Sequence, residues 1–183
     1  LVEVELAEAG DDVFVCETEG VIVLEGASPE GGSWSGTGVI DAAAGLVDVA
    51  QLSIGTTVLT YSTGSGSCLH SDSRICHVLG NPTVAIVSSE EDNLACAGDS
   101  VIWTANVSGG NVSNSSDYQF DWIGSATTDL DNPAEAWWIA NSTETTVQLM
   151  VTDTLGCQAE ITQSIAVESL PILQLPQNVQ ECA

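Results

Sequence analysis

Cys16-Glu-Thr-Glu-Gly20-Val-Ile-Val-Leu24 and Cys96-Ala-Gly98-Asp-Ser-Val-Ile-Trp-Thr104 are two spellings of one segment. Each has a cysteine, a short polar turn with a glycine, and a run rich in β-branched residues. Further along, Gly31-Gly32-Ser-Trp34-Ser-Gly36 is echoed loosely by Gly109-Gly110 and then Trp122-Ile-Gly124. Thr56-Thr-Val58-Leu-Thr-Tyr61 matches Thr145-Thr-Val147-Gln-Leu-Met-Val151, and each opening threonine stands 12 residues before a cysteine, Cys68 or Cys157. A third copy starts at Ile172-Leu-Gln-Leu175 and reaches Cys182. Self-similarity at a period of roughly 80 to 90 residues marks an array of small domains. The chain is therefore expected to be a piece of a longer beads-on-a-string protein.

The segments themselves read as strands. Val2–Leu6, Val21–Leu24, Thr57–Tyr61, Thr83–Val87, Ser100–Thr104, Thr146–Val151 and Ile161–Val167 are short β-branched runs separated by Gly, Ser, Asn and Asp. No stretch holds a sustained 3.6-residue apolar period, though Ala42–Val47 and Pro133–Trp137 could each wind one helical turn. Six or seven strands per copy predict an all-β chain of tandem immunoglobulin-like β-sandwiches. Gly80-Asn-Pro82 and Ser169-Leu-Pro171 are the junctions, giving one sandwich over 1–79, a second over 80–169 and the first strand of a third over 170–183. Short linkers with proline leave little hinge freedom, so the array is expected to be a semi-rigid rod.

Composition removes several function classes. The chain has 26 acidic residues against Arg74 alone, with no lysine, for a formal charge of −25. Nucleic acids and anionic membrane surfaces need clustered cations, so neither is an expected partner. No apolar run has the roughly 18 residues of a membrane span, which argues against membrane insertion. Hydrophobic residues make up 44%, enough for cores, so the acidity belongs to surfaces rather than to disorder. Such a surface repels itself and favours an extended array. Adaptation to a salty medium explains it most simply, and collection of divalent cations is the sharper alternative.

The six cysteines locate the compartment. Equivalent placement of Cys16 with Cys96, and of Cys68 with Cys157, suggests two bridges within copies, Cys16–Cys68 and Cys96–Cys157. Disulfides place the protein outside the cell or on its surface. Cys182 is the leading cysteine of the third copy. Cys76 falls where the second copy has Ile165, an inward position, and is expected to be a buried thiol; a Cys68–Cys76 hairpin bridge competes with that assignment. Zinc is not expected, since there is no CxxC pair and His70 and His77 are the only histidines.

The Gly31-Gly-Ser-Trp-Ser-Gly-Thr-Gly38 run, followed by Gly55-Thr-Thr-Val-Leu-Thr-Tyr61 and Gly66-Ser-Cys68, resembles the glycine- and tryptophan-bearing repeats of very large surface proteins of gliding and marine bacteria. The second copy, with Tyr118-Gln-Phe-Asp-Trp122 and Val151-Thr-Asp-Thr-Leu-Gly-Cys157, is similar to the related PKD-like domains. The resemblance implies immunoglobulin-like sandwiches in giant exported adhesins of the gliding-motility type, usually carried by type IX secretion. The family's repeats have no catalytic residues to transfer. Cys76 has no counterpart in the usual repeat, and the C-terminal sorting domain of such proteins is not among these residues.

Candidate sites are few. Two histidines, one arginine and no lysine cannot readily assemble a nucleophile, base and orienter, so the chain is read as a non-enzyme. His70 and Asp72 stand two apart, as residues on one strand face do. No organic cofactor is implied. Calcium is the one ion considered: Asp11, Asp12, Glu90, Glu91, Asp92, Asp129 and Asp131 offer hard oxygens near the copy junctions, against the plainer reading of solvated acidic loops. Trp34, Trp103 and Trp122 fit core positions. Trp137 and Trp138 are adjacent, so a strand must turn them to opposite faces and leave one exposed as a contact surface for a sugar or a neighbouring subunit. Asn106, Asn111, Asn114 and Asn141 begin N-x-Ser/Thr sequons. Ser100 and Thr154 lie in short Asp-Ser/Thr-aliphatic sequences that resemble the O-glycosylation motif of the same bacterial group.

The function expected is therefore that of a stalk or shaft segment in a bacterial surface adhesin or filament. Its partners would be neighbouring repeats of the same chain, and other copies in a fibre. The alternatives are a polysaccharide-binding module and an accessory domain of a secreted hydrolase.

Overall fold

The computed structural model describes residues 5–90, 92–124, 126–129, 131–140 and 144–169. In the first copy the strands are β1 (Val13–Cys16), β2 (Val21–Val23), β3 (Ser33–Ser35), β4 (Val39–Asp41), β5 (Leu46–Asp48), β6 (Gly55–Thr63) and β7 (His70–Leu79). The second copy contributes β8 (Pro82–Ser88), β9 (Leu94–Cys96), β10 (Ser100–Gly109), β11 (Gln119–Gly124), β12 (Thr127–Thr128), β13 (Glu135–Ile139), β14 (Glu144–Thr152) and β15 (Gln158–Glu168).

Strand order repeats. In the first copy one sheet runs β1-β7-β6-β3 and the other β2-β5-β4. In the second, β9-β15-β14-β11 repeats the first sheet, and β12-β13-β10-β8 repeats the second with one strand added. Each copy is thus an immunoglobulin-like sandwich. By compactness the chain divides into a unit of residues 1–83, 107–119 and 151–159, and a unit of 84–106, 120–150 and 160–183.

Alternation builds both cores. Leu59 and Tyr61 on β6, and Arg74, Cys76 and Val78 on β7, point inward at every second position, as a pleated strand requires. Leu59, Tyr61, Cys76 and Val78 meet Val15, Leu24, Trp34, Val47 and Val49 in one cluster. In the second unit Val101, Trp103, Ala105, Ala136, Trp138, Val147, Leu149 and Ile165 alternate inward in the same way.

The structure also corrects local expectations. The stretch Ala42–Val47 forms a turn and then β5, and Pro133–Trp137 runs into β13 rather than a helical turn. The expected strand Val2–Leu6 lies largely outside the described residues, as does the third copy with Cys182. The strand that precedes the first cysteine is β1, which lies parallel to β7 with Cys16 opposite Leu79. In the second copy β9 lies parallel to β15 with Cys96 opposite Glu168.

That register overturns the expected cysteine pairing. The leading cysteine of each copy sits at the C-terminal end of its last strand, and the trailing cysteine just before that strand's start. Cys68 to Leu79 and Cys157 to Glu168 are eleven residues each. The strand parts of these stretches, His70–Leu79 and Gln158–Glu168, each span about 30 Å at about 3.3 Å per residue. A disulfide needs Cα atoms within about 7 Å. Bridges Cys16–Cys68 and Cys96–Cys157 are therefore both out of reach.

Candidate functional site

The bridge that forms is Cys16–Cys157, with Cα atoms 5.4 Å apart and 141 residues between them in sequence. It joins the leading cysteine of the first copy to the trailing cysteine of the second. Both lie in the first compact unit, together with the loops around them.

The sequence prepares each side of this bridge. Val13-Phe-Val15 alternates into Cys16, whose N–H donates to Glu19 Oε2 at 3.1 Å while Glu19 N donates back to the Cys16 carbonyl at 3.0 Å. Cys96 carries the same cap: its N–H donates to Asp99 Oδ2 at 3.0 Å, and Asp99 N returns to the Cys96 carbonyl at 3.0 Å. The Cys-x-x-acid spacing is thus a turn that ends the strand at a cysteine.

On the other side Asp153 shapes the loop that presents Cys157. Its buried Oδ1 accepts from Leu155 N and Cys157 N, both at 2.9 Å. Its Oδ2 accepts from Asn111 N at 2.7 Å and Asn111 Nδ2 at 3.1 Å. Burial alone would raise its pKa, but the four hydrogen bonds outweigh that and hold it below the usual carboxylate range. Gly110, at φ +67°, lets the backbone turn against Asp153 and Pro82, where a Cβ would stand 3.1 Å from each. Asn81, in the linker, is tied beside the bridge as well. Its N donates to Glu17 Oε1, and its Nδ2 to Thr18 Oγ1 and the Gln158 carbonyl, at 2.8 to 2.9 Å.

Cys76 is free and buried, and burial raises its thiol pKa. Cys68 is free and exposed, so no Cys68–Cys76 bridge exists; Cys96 is free and exposed too. The chain's single guanidinium is also taken. Arg74 is buried, with Nη1 donating to the Ala9 carbonyl at 3.1 Å and the Glu25 carbonyl at 2.7 Å, and lies 5.7 Å from the Trp34 ring centre. Burial lowers its pKa, while Asp11 and Asp12 favour its charge.

The candidate acidic residues hold backbone groups or stand exposed. Asp12 Oδ1 accepts from Ile75 N at 2.8 Å, and its Oδ2 lies 3.8 Å from His77 Nε2. Asp129 Oδ1 accepts from Asp131 N at 2.9 Å, and Glu90 lies within 3.5 Å of Ser89 Oγ. Asp11, Asp92 and Asp131 are exposed, and Glu91 lies outside the described residues. Among the described residues no three His, Cys, Asp or Glu side chains converge as a metal site. Asp72 accepts from Ala9 N at 2.8 Å, and this bond, with one from Ser73, lowers its pKa.

Trp34, Trp103 and Trp122 are buried, and of the adjacent pair Trp138 is buried while Trp137 is 44% exposed. Trp138 is therefore a core residue and not a contact surface. Trp137 lies across from Ile102 on β10 and Thr127 on β12. With Ser100, Asp129 and Glu135 it lines a shallow groove of about 260 Å³.

Of the sequons, Asn106 and Asn114 are exposed, Asn111 is engaged by Asp153, and Asn141 lies outside the described residues. Ser100 is exposed at the start of β10. Thr154 is exposed and donates its hydroxyl to the Asn111 carbonyl.

No family model matches the chain, and no curated protein matches it in sequence. Solved structures do. The N-terminal eight Ig domains of Down Syndrome Cell Adhesion Molecule isoform 1.30.30 match with a TM-score of 0.53 at 11% identity, over 88% of this chain and 27% of that one. Extracellular domains 3-5 of Drosophila OTK match with a TM-score of 0.46 at 8% identity, over 92% and 63%. The chain thus spans about a quarter of the first structure and under two thirds of the second. At such identity the first match shows the fold alone, tandem immunoglobulin-like sandwiches.

Proposed function

We propose that the chain is a structural repeat segment of a large extracellular bacterial adhesin or surface filament, serving as a semi-rigid stalk or shaft. The Cys16–Cys157 bridge carries the reading. A covalent link between the leading cysteine of one copy and the trailing cysteine of the next transmits load along the array, so residues 17–156 cannot be drawn out while it holds. It also requires an oxidising compartment, which supports a site outside the cell. Resemblance of the Gly31–Gly38 and Val151–Cys157 motifs to repeats of exported gliding-motility adhesins supports the bacterial surface, with type IX secretion as the route. The match to the Ig domains of Down Syndrome Cell Adhesion Molecule supports the same class.

Electron microscopy of the parent protein, purified from its source, tests this. The expected image is a string of evenly spaced beads, alone or bundled; a single compact particle would overturn it.

A second reading has its own observation. Trp137 presents an exposed indole beside Asp129 and Glu135, an apolar platform next to hydrogen-bonding carboxylates that suits a polysaccharide. If sugars bind there, Trp137→Ala lowers affinity on a glycan array at least tenfold without moving Tm; an unchanged binding profile dismisses the sugar role.

A further inference from the structure

We infer that Cys68 and Cys96 are the open ends of a continuous disulfide ladder, in which the leading cysteine of every copy is bridged to the trailing cysteine of the copy that follows it. The inference deepens the array reading and rests on it.

Three observations carry it. First, the one bridge among the described residues already obeys the rule: Cys16 leads the first copy and Cys157 trails in the second. Second, among the described residues the rule leaves unpaired one trailing cysteine, Cys68, and one leading cysteine, Cys96. These two are free and exposed, whereas the third free thiol among the described residues, Cys76, is buried within its own core. Third, strand register puts the leading cysteine at the C-terminal end of each last strand and the trailing cysteine just before its start, with about 30 Å of strand between. A copy with its cysteines at opposite poles cannot close on itself but can link to a neighbour on each side. The shared Cys-x-x-acid caps at Cys16 and Cys96 show that the leading position is built alike in both copies.

Cys96 is then bridged to the trailing cysteine of the third copy, and Cys68 to the leading cysteine of the copy preceding the first. Each new bridge converts two thiols into one disulfide with loss of two protons and two electrons. The oxidant is a protein or small-molecule disulfide of the export compartment, itself reduced to two thiols by exchange.

Peptide mapping under non-reducing conditions tests this on the parent protein isolated from its source cell, with free thiols alkylated beforehand. Cleavage after glutamate together with cleavage after Arg74 separates all the cysteines concerned, Cys68 from Cys76 included. The expected result is Cys16 joined to Cys157, Cys96 joined to a trailing cysteine of the next copy, Cys68 joined to a leading cysteine of the previous copy, and Cys76 alkylated only after denaturation. On the 183-residue chain alone, Cys68 and Cys96 should both alkylate without denaturant. Recovery of Cys68 or Cys96 as free thiols in the parent, joined within their own copies, or bridged between separate chains on a non-reducing gel, overturns the ladder while leaving the array intact. A parent protein with no further copies sinks the array reading and the ladder with it.

Discussion

Asp153 shows how much of this fold turns on one carboxylate. It accepts four hydrogen bonds from two stretches of chain and holds the loop that carries Cys157. Asp153→Asn replaces one acceptor oxygen by a donor that faces N–H groups, so a loss of about 2–3 kcal/mol is expected. The pH dependence has a definite sign. Since the folded-state pKa is depressed, this stabilisation is whole above the ordinary value of 3.8 and disappears as pH falls through the lower folded value. Melting curves from pH 6 to 2 should therefore show wild type and Asp153→Asn far apart at pH 6 and converging below pH 3.8; parallel curves would exclude the role. The Val-Thr-Asp-x-x-Gly-Cys motif made this residue visible in the sequence. Its partner Asn111 was visible only as a sequon, because nothing in spacing says that residues 42 positions apart share a loop. Arg74 enters the sequence reading only as the chain's single cation, yet alternation along β7 turns it inward to two carbonyls.

At the scale of the element, strands were legible and their register was not. Short β-branched runs announced β2, β6, β8, β10, β14 and β15, because such side chains suit a pleated, half-buried surface. The cysteine pairing escapes the sequence because equivalent placement in two copies implies equal roles but carries no direction. Only the parallel docking of β1 on β7, and of β9 on β15, reveals that the two cysteines of one copy occupy opposite strand ends. The Trp-x-Gly step, in contrast, has a local reason in both copies. Gly36 sits at φ +140° with Leu59 Cδ2 2.9 Å from where a Cβ would be, and Gly124 at φ +122° with the Thr146 carbonyl oxygen at 2.7 Å. Each alanine substitution should cost about 1–3 kcal/mol. Gly124→Ala should be the worse, because its new Cβ would stand 2.7 Å from a backbone oxygen, whereas at Gly36 the Val58 carbonyl oxygen lies at 3.0 Å and the nearer atom is the yielding end of a leucine. Equal denaturant midpoints for wild type and both variants would show that these close approaches contribute nothing.

For the whole molecule, the consequence of the bridge is mechanical. Tension applied at the chain ends bypasses residues 17–156 as long as Cys16 and Cys157 are joined. Closing a loop of that length also removes about 5 kcal/mol of unfolded-state entropy in the chain-entropy model. A net charge of −25 adds self-repulsion that pushes an acidic array toward extension, so the covalent link opposes a force the surface itself supplies. Single-molecule stretching of the oxidised chain should release only the segments outside the bridged loop. After reduction, or in Cys16→Ser, the 141-residue separation becomes available and contour length should grow by roughly 500 Å, at about 3.6 Å per residue. Melting should shift downward on reduction in wild type and stay put in Cys16→Ser, which has no bridge to lose. An oxidised chain that extends as far as the reduced one would mean that Cys16 and Cys157 do not take the load, and a shaft would then have to rely on the non-covalent strength of each sandwich alone.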